Sequence, residues 1–447
     1  MTSQIAISLY DQLVDEFENL NASSNESESL QLLRTTAFEA FKKQGFPSIK
    51  NENWKYTNIV PFLKENFELD GFGRANVERV DIETVKSAVE ATSIRFLDAY
   101  KIVLVNGRLE ESLSDIPQVN GLKVQSLSAV KNDDRLHHYL ERNIDVEKNA
   151  FAALNTAMFT DGLFIEVEHG KFIEKPVHVI HVFTSDKNVF VQPRHLFVAH
   201  EGSSFQLIES VANANDSAAI FVNSVTNIIL EQDAQFDNCF IHSGTKGKRY
   251  IHQTQVSQGY QSLYNNYNFS LPEADLIRNN LNVVLEGTHT ESHLYGLYLA
   301  TDNQLIDNHS LVDHRMPDCN SNEHYKGVLF DTSKAVFNGK IFVRLDAQKT
   351  NAFQQNNNLL LSDKATIDSK PQLEIFADDV KCSHGATVGS FDTDALFYLR
   401  SRGIGENAAR ALLINAFAFD VTDQVKNEHV KAHVQKLIKG FLANLFV

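Results

Sequence analysis

The sequence predicts a mainly β chain: a parallel β-helix core, preceded by a mixed α/β region and followed by helices. From Asp161 to Phe376, short apolar or alternating runs follow one another without a long amphipathic helix between them. Asn, Asp, Ser, Gly and Lys separate these runs, and the apolar runs near residues 329, 342, 360 and 375 recur quasi-regularly. Turn glycine is sparse and Asn338-Gly339 is the one clear hairpin signal, while the polar tracts Asn265-Asn266 and Asn356-Asn357-Asn358 suit corners. Stacked coils explain this texture, because each coil buries its inward face only against its neighbours. A sandwich or barrel fits the same pattern; the spacing favours the β-helix.

The elements divide the chain into residues 1–160, 161–390 and 391–447. In the first part, Leu9, Leu13, Phe17 and Leu20 predict one helix, and Leu30, Leu33, Ala37, Phe38 and Phe41 a second. The polar stretch Asn21 to Ser29 separates them, and Gly45 with Pro47 ends the second. Ile102 to Val105 reads as extended into the turn Asn106-Gly107, and helix resumes between about Arg135 and Met158. In the core, strands are expected at Leu163–Val167, Val177–Val182, His195–Val198, Ser224–Leu230 and Phe236–Ile241. Further strands follow at Asn282–Leu285, Gly296–Ala300, Val328–Phe330, Lys340–Val343, Leu359–Leu361 and Leu373–Phe376. In the last part Asp392 precedes a helix that Gly403 stops. Ala408, Ala409, Leu412, Leu413, Ala416 and Phe417 then form one apolar face, and Val430, Val434, Leu437, Ile438, Phe441, Leu442 and Leu445 another.

Composition narrows the function classes. Of 447 residues 43% are apolar and 22% charged, which are globular values. A net charge of −16 repels phosphate backbones and argues against nucleic acid. No run is long and apolar enough to span a bilayer, and the acidic start lacks the basic-then-apolar order of a signal peptide, so a cytoplasmic location is expected. Cys239, Cys319 and Cys382 are far apart and odd in number, which fits a reducing compartment rather than a disulfide framework. No P-loop, dinucleotide fingerprint or nucleophile elbow occurs, and no catalysis is signposted.

The stretch Asp378 to Gly389 carries the chemistry. In an extended chain Cys382 and His384 stand at i and i+2 and share one face. A thiolate beside an imidazole suits iron or another soft metal, and Lys381 is expected to favour the thiolate. Two donors are too few for a cluster, so another subunit must complete the set. In a β-rich chain such a pair is more often simply packed. His289, His293, His309, His314, Cys319 and His324 fit no zinc spacing and read as surface or turn residues, and Cys239 as a small buried hydrophobe.

The run from Ala377 to Gly389, with Asp394-Ala395-Leu396-Phe397-Tyr398-Leu399-Arg400-Ser401-Arg402-Gly403-Ile404 after it, resembles the C-terminal signature of the SufB/SufD family of the SUF iron–sulfur cluster assembly system. Glu52-Asn53-Trp54-Lys55-Tyr56-Thr57 is similar to that family's W-[RK]-Y-T segment. Tyr325-Lys326-Gly327 and Ala347-Gln348-Lys349-Thr350, with Gln354, Asn356 and Leu359 to Leu361, continue the match. The resemblance implies a right-handed parallel β-helix that pairs with a SufB-type subunit, and a C-terminal helical region that docks a SufC-type ATPase. It implies a non-catalytic scaffold around a nascent iron–sulfur cluster or iron shared with the partner, with a reduced flavin in the complex and a homodimer open to the isolated chain. Cys382 and His384 match the family's interface pair. Leu396, Phe397, Tyr398, Arg400, Arg402, Leu412, Leu413 and Phe417 fall in the docking region. The SufB branch carries a further cysteine where Asn358 to Ala365 has none, which points to the SufD branch. Two other readings compete: a purely structural interaction subunit, and a β-helix carbohydrate-active enzyme, which the missing signal peptide disfavours.

Overall fold

The computed structural model describes residues 8–23, 26–69, 81–214, 218–244 and 246–446. Its β-rich run forms a parallel solenoid of about eight turns across residues 164–389. Successive turns feed two facing sheets. The front sheet carries Leu163–Val167, Arg194–Ala199, Ile220–Leu230, Lys248–Gln258, Leu276–Leu285, Leu305–His314 and Lys334–Val343, and ends in the short strands Thr366–Ser369 and Gln372–Ile375. The back sheet runs through Tyr100–Val105, Val177–Phe183, Ser204–Asn213, Gln235–His242, Leu263–Ser270, Glu291–Ala300, Asn320–Leu329, Thr350–Leu360 and Val380–Gly389. Register is continuous from coil to coil: Phe236 pairs with Tyr264, then Ser292, Ser321, Ala352 and Cys382 stack in turn.

The sequence marks the coils but misplaces their corners. Asn282–Leu285, Gly296–Ala300 and Val328–Phe330 contain or overlap only the C-terminal ends of strands 10 residues long. The Asn265-Asn266 and Asn356-Asn357-Asn358 tracts, expected at corners, lie inside strands, and so does Asn338-Gly339, expected as a hairpin. The interior is partly polar, and this hides the strands from a hydrophobic reading. Asn356 Nδ2 donates to the Tyr298 hydroxyl at 3.0 Å, and Asn358 Nδ2 donates to Asn356 Oδ1 at 2.7 Å. Such hydrogen bonds, within a strand and between coils, give buried amides partners and let Asn occupy inward positions. The true corners use left-handed Asp233, Asp302, Asp331 and Lys349, which explains the scarcity of turn glycine.

Helices wrap both sheets. Leu9–Ser23 and Glu28–Gln44 bury Leu9, Leu13, Phe17, Leu30, Ala37, Phe38 and Phe41, while the side chain of Leu20 and residues 24–25 lie outside the described set. Ser27 caps the second helix, and Gly45, at φ 63°, returns its N–H to the Phe41 carbonyl. Asp134–Glu141 and Ala150–Met158 fill the predicted helical interval. The second of these is wholly buried and meets Phe190, Phe221, Ile251 and Leu276 near the front sheet. Tyr100–Val105 turns at Asn106-Gly107, both with positive φ, into Arg108–Leu109.

Three helices, Thr393–Ser401, Glu406–Thr422 and Glu428–Leu445, close the chain; Asp392 caps the first, and Gly403 follows it at φ 87°. Val430, Val434, Ile438 and Leu442 share a core with Ile208, Cys239, Tyr267 and Leu297 of the back sheet. In Glu406–Thr422 the expected face is corrected: Ala409, Ile414, Ala418 and Val421 are buried, while Leu412 is 50% exposed. This helix is apolar on both stripes, so periodicity cannot choose the one that meets the solenoid.

Candidate functional site

Val380–Gly389 pairs with Thr350–Leu360 along one edge and ends the back sheet, leaving its other edge unpaired among the described residues. Side chains alternate along it, so Cys382 and His384 share the inward face, as their spacing predicts. Among the described residues no further coil follows them in the sheet. His384 is exposed, whereas Cys382 is half-buried against a core of Ile341, Val343, Ala347, Ala352 and Ala377. Burial pushes the Cys382 thiol up, only partly offset by its hydrogen bond with the Ala352 backbone. Lys381 does not favour the thiolate as expected, because adjacent strand residues point to opposite faces. Cys382 is held as a thiol until a metal or base removes its proton.

Among the described residues, no three His, Cys, Asp or Glu gather as a metal site. Behind His384, however, two further inward residues stack in register: Gln354 pairs with His384, and Glu323 with Gln354. Both are buried, and Gln354 Nε2 donates to Glu323 Oε2 at 2.7 Å. Burial pushes the Glu323 carboxyl up to about 7, against the hydrogen bond from Gln354. Sequence reasoning missed this pair. Its signal was available: a carboxylate at an alternating position of Asn320–Leu329 must face either a neighbouring coil or solvent.

The histidine-rich stretch is corrected in part. His289 does sit in a turn with φ 58°, but His314 is buried, its Nε2 2.9 Å from the Ser321 hydroxyl. His309 Nε2 lies 3.0 Å from Asp307 Oδ1. Cys319 is buried and hydrogen-bonds the Gly287 carbonyl at 3.3 Å, and Cys239 is buried as expected. The polar interior takes in side chains that a hydrophobic reading sends to the surface.

Comparison with known proteins decides the family. Residues 181–417 match the SUF system FeS cluster assembly SufBD core domain, and residues 5–179 match the SufBD protein N-terminal region. The chain belongs to the SufBD family. It is 32% identical over 414 residues to the iron–sulfur cluster assembly protein SufD of Escherichia coli, covering 90% of this chain and 89% of that one. A SufBD family protein of Synechocystis is 30% identical over 432 residues, covering 94% and 93%. Protein ABCI7, chloroplastic, of Arabidopsis thaliana is 28% identical over 443 residues, covering 96% and 90%.

The SufBD motif segments acquire physical roles in the fold. Glu52 to Thr57 is a strap laid along the front sheet. The Arg278 guanidinium lies 3.8 Å over the Trp54 ring, donates to the Asn53 carbonyl at 2.8 Å and is ion-paired with Asp307. Thr57 Oγ1 donates to Asp307 Oδ2 at 2.5 Å, and Lys370 Nζ reaches Glu52 Oε1 at 2.6 Å. Burial would raise the Asp307 carboxyl, but Arg278, His309 and Thr57 outweigh it and hold it at about 2. Lys326, from the Tyr325-Lys326-Gly327 motif, anchors the C-terminal helices: its Nζ lies 2.5 Å from Asp420 Oδ2 and donates to the Phe417 carbonyl at 3.0 Å.

The candidate docking residues divide. Phe397 is 74% exposed and Tyr398 57%, with the Arg402 guanidinium 5.3 Å from the Tyr398 ring and Arg400 paired with Glu406. Leu412 is exposed, and Leu396 and Leu413 are half-buried. Phe417 faces the solenoid instead, under Lys326 Nζ at 4.4 Å. A pocket of about 440 Å³ is lined by Leu32, Leu33, Thr36, His137 and Ile144 among others. No helix is long and apolar enough to cross a membrane.

Proposed function

We propose that this SufBD protein is a SufD-type scaffold subunit, catalysing no reaction alone, that helps to build a nascent iron–sulfur cluster at a site shared with a SufB-type subunit. The observation that carries this reading is the placing of Cys382 and His384 on the inward face of a strand whose outer edge has no partner in the described chain. An open strand edge is a template for another chain, and main-chain pairing there would bring the partner's donors beside these two. Sulfur and imidazole suit iron, and binding it would displace the Cys382 proton that burial retains. The same edge would join two copies of this chain when the SufB-type partner is absent.

The exposed group Phe397, Tyr398 and Leu412, with Leu396, Leu413, Arg400 and Arg402 around it, is the proposed dock for a SufC-type ATPase. Aromatic and arginine side chains are what interface cores favour. Three free thiols suit a reducing cytoplasm.

The test is anaerobic reconstitution of the complex with SufB-type and SufC-type subunits. The double variant Cys382→Ala/His384→Ala should assemble but carry little iron and sulfide. Unchanged iron and sulfide in that complex overturns the shared-site reading. For the dock, Phe397→Ala/Leu412→Ala is preferable to removing residues 392–447, because Glu406–Thr422 and Glu428–Leu445 cover the back sheet. The pair should abolish ATPase capture while leaving the thermal midpoint in place.

A further inference from the structure

Gln354 is fixed at one end and unsatisfied at the other. Its Nε2 donates to Glu323 Oε2 at 2.7 Å. Its carbonyl oxygen Oε1 is buried and has no hydrogen-bond partner. An ionised carboxylate only accepts, so Glu323 holds the amide nitrogen toward itself and the amide oxygen away. An orphaned buried acceptor costs about 1–3 kcal/mol and calls for a donor. The next inward residue in register is His384, whose ring N–H is a donor one strand away. Glycine at 339 serves the same arrangement: a side-chain carbon there would collide with the Gln354 amide.

We propose that Gln354 is a positioning residue for His384: its side-chain oxygen accepts one imidazole N–H and leaves the other ring nitrogen facing the open end of the solenoid. Glu323 acts one step further back, by setting which end of the Gln354 amide meets the histidine. The hydrogen bond forms when partner docking covers the terminal coil and shields His384 from water. A histidine that binds metal commonly needs its second nitrogen held in this way, and loss of such a holder weakens metal affinity by about 10–100-fold. The inference rests on the shared-site reading above, since it assigns a role to residues behind one of its two donors.

The test titrates the assembled SufB-type, SufC-type and SufD-type complex with Co²⁺ under argon, following the visible ligand-field bands. It is run at about pH 8, above the point at which the Glu323 carboxyl ionises. Gln354→Met, which keeps the volume and removes the acceptor, should weaken Co²⁺ binding about 10–100-fold while leaving co-purification intact. Gly339→Ala, which displaces the amide without touching it chemically, should weaken binding in the same direction. Glu323→Gln offers Gln354 both a donor and an acceptor and should fall between wild type and Gln354→Met. If Gln354→Met and Gly339→Ala bind like wild type while His384→Ala loses the bands, the positioning role is overturned and the shared site stands. If His384→Ala also binds like wild type, both readings fail.

Discussion

Two strands of the same solenoid show how unevenly the molecule is finished. Every residue of Ile220–Leu230 is buried, between sheet neighbours on both edges and under Ala150–Met158. Most of Val380–Gly389 is exposed, with one neighbouring strand in its sheet among the described residues. At the other end of the solenoid Leu122–Ser126 and Arg108–Leu109 pair antiparallel with the first strands of the two sheets. The last coil is finished differently: Val380–Gly389 and, in the front sheet, Thr366–Ser369 and Gln372–Ile375 leave their outer edges unpaired among the described residues. The first of these strands holds Cys382 and His384. The difference teaches that buried polar groups in the covered coils should govern stability, whereas residues of the last coil should govern assembly.

The largest expected effect is acid loss of the covered coils. Burial holds His178 and His242 at about 3 and His314 at about 4, below their ordinary 6.5. The unfolded chain therefore takes up protons first as pH falls. The contribution of these three histidines is complete above about 6.5 and is lost as pH falls toward about 3, by several kcal/mol in total. Glu323 runs the other way, because its folded value near 7 lies above its ordinary 4.5. Its contribution is full below 4.5 and is lost as pH rises through about 7. Urea midpoints measured across pH should show both limbs, and Glu323→Gln should erase only the alkaline one. An alkaline limb that persists in that variant breaks the assignment.

Next in size is the strap. Asp307→Ala would leave the Arg278 guanidinium buried without its counter-ion, a loss of about 3–5 kcal/mol by denaturant titration. A loss under 1 kcal/mol would mean that the SufBD strap is not part of the covered region's stability. Asp420→Ala should cost less, about 1 kcal/mol, because Asp420 is largely exposed although Lys326 is not. Its signature is faster amide exchange in Glu406–Thr422 and Glu428–Leu445 with the solenoid unchanged. Uniform acceleration across the solenoid would show that these helices are no separate layer.

How much of this was legible follows from which residues obey hydrophobic periodicity. Helices Glu28–Gln44 and Glu428–Leu445 were, because a single apolar stripe meets a single surface. The ends of strands were legible where Val328, Leu329 or Val343 turn inward or under a helix, and the earlier parts were not, because buried Asn266, Gln354 and Asn356 take inward positions there. The pairing of Cys382 with His384 was legible from alternation alone. Their exposure, the reversal at Lys381 and the Glu323–Gln354 support were not, since these depend on which coil is last and which residues stack behind it. The W-K-Y-T segment was visible as a motif, but its partners Arg278 and Asp307 lie more than two hundred residues away in sequence, beyond any local pattern.

The smallest expected change in stability belongs to the residue given the largest role. His384→Ala in the isolated chain should move the unfolding free energy by no more than about 0.5 kcal/mol, because the side chain is exposed. Cys382→Ala should cost somewhat more, since its sulfur packs against Ile341 and Ala352. The same His384→Ala change in the assembled complex should be felt as lost iron. Stability unaffected in the free chain and iron lost in the complex would together locate the role of His384 in what docks onto the last coil. A destabilisation of the free chain by 2 kcal/mol or more would place His384 among the covered coils' packing residues and remove the contrast between the two ends.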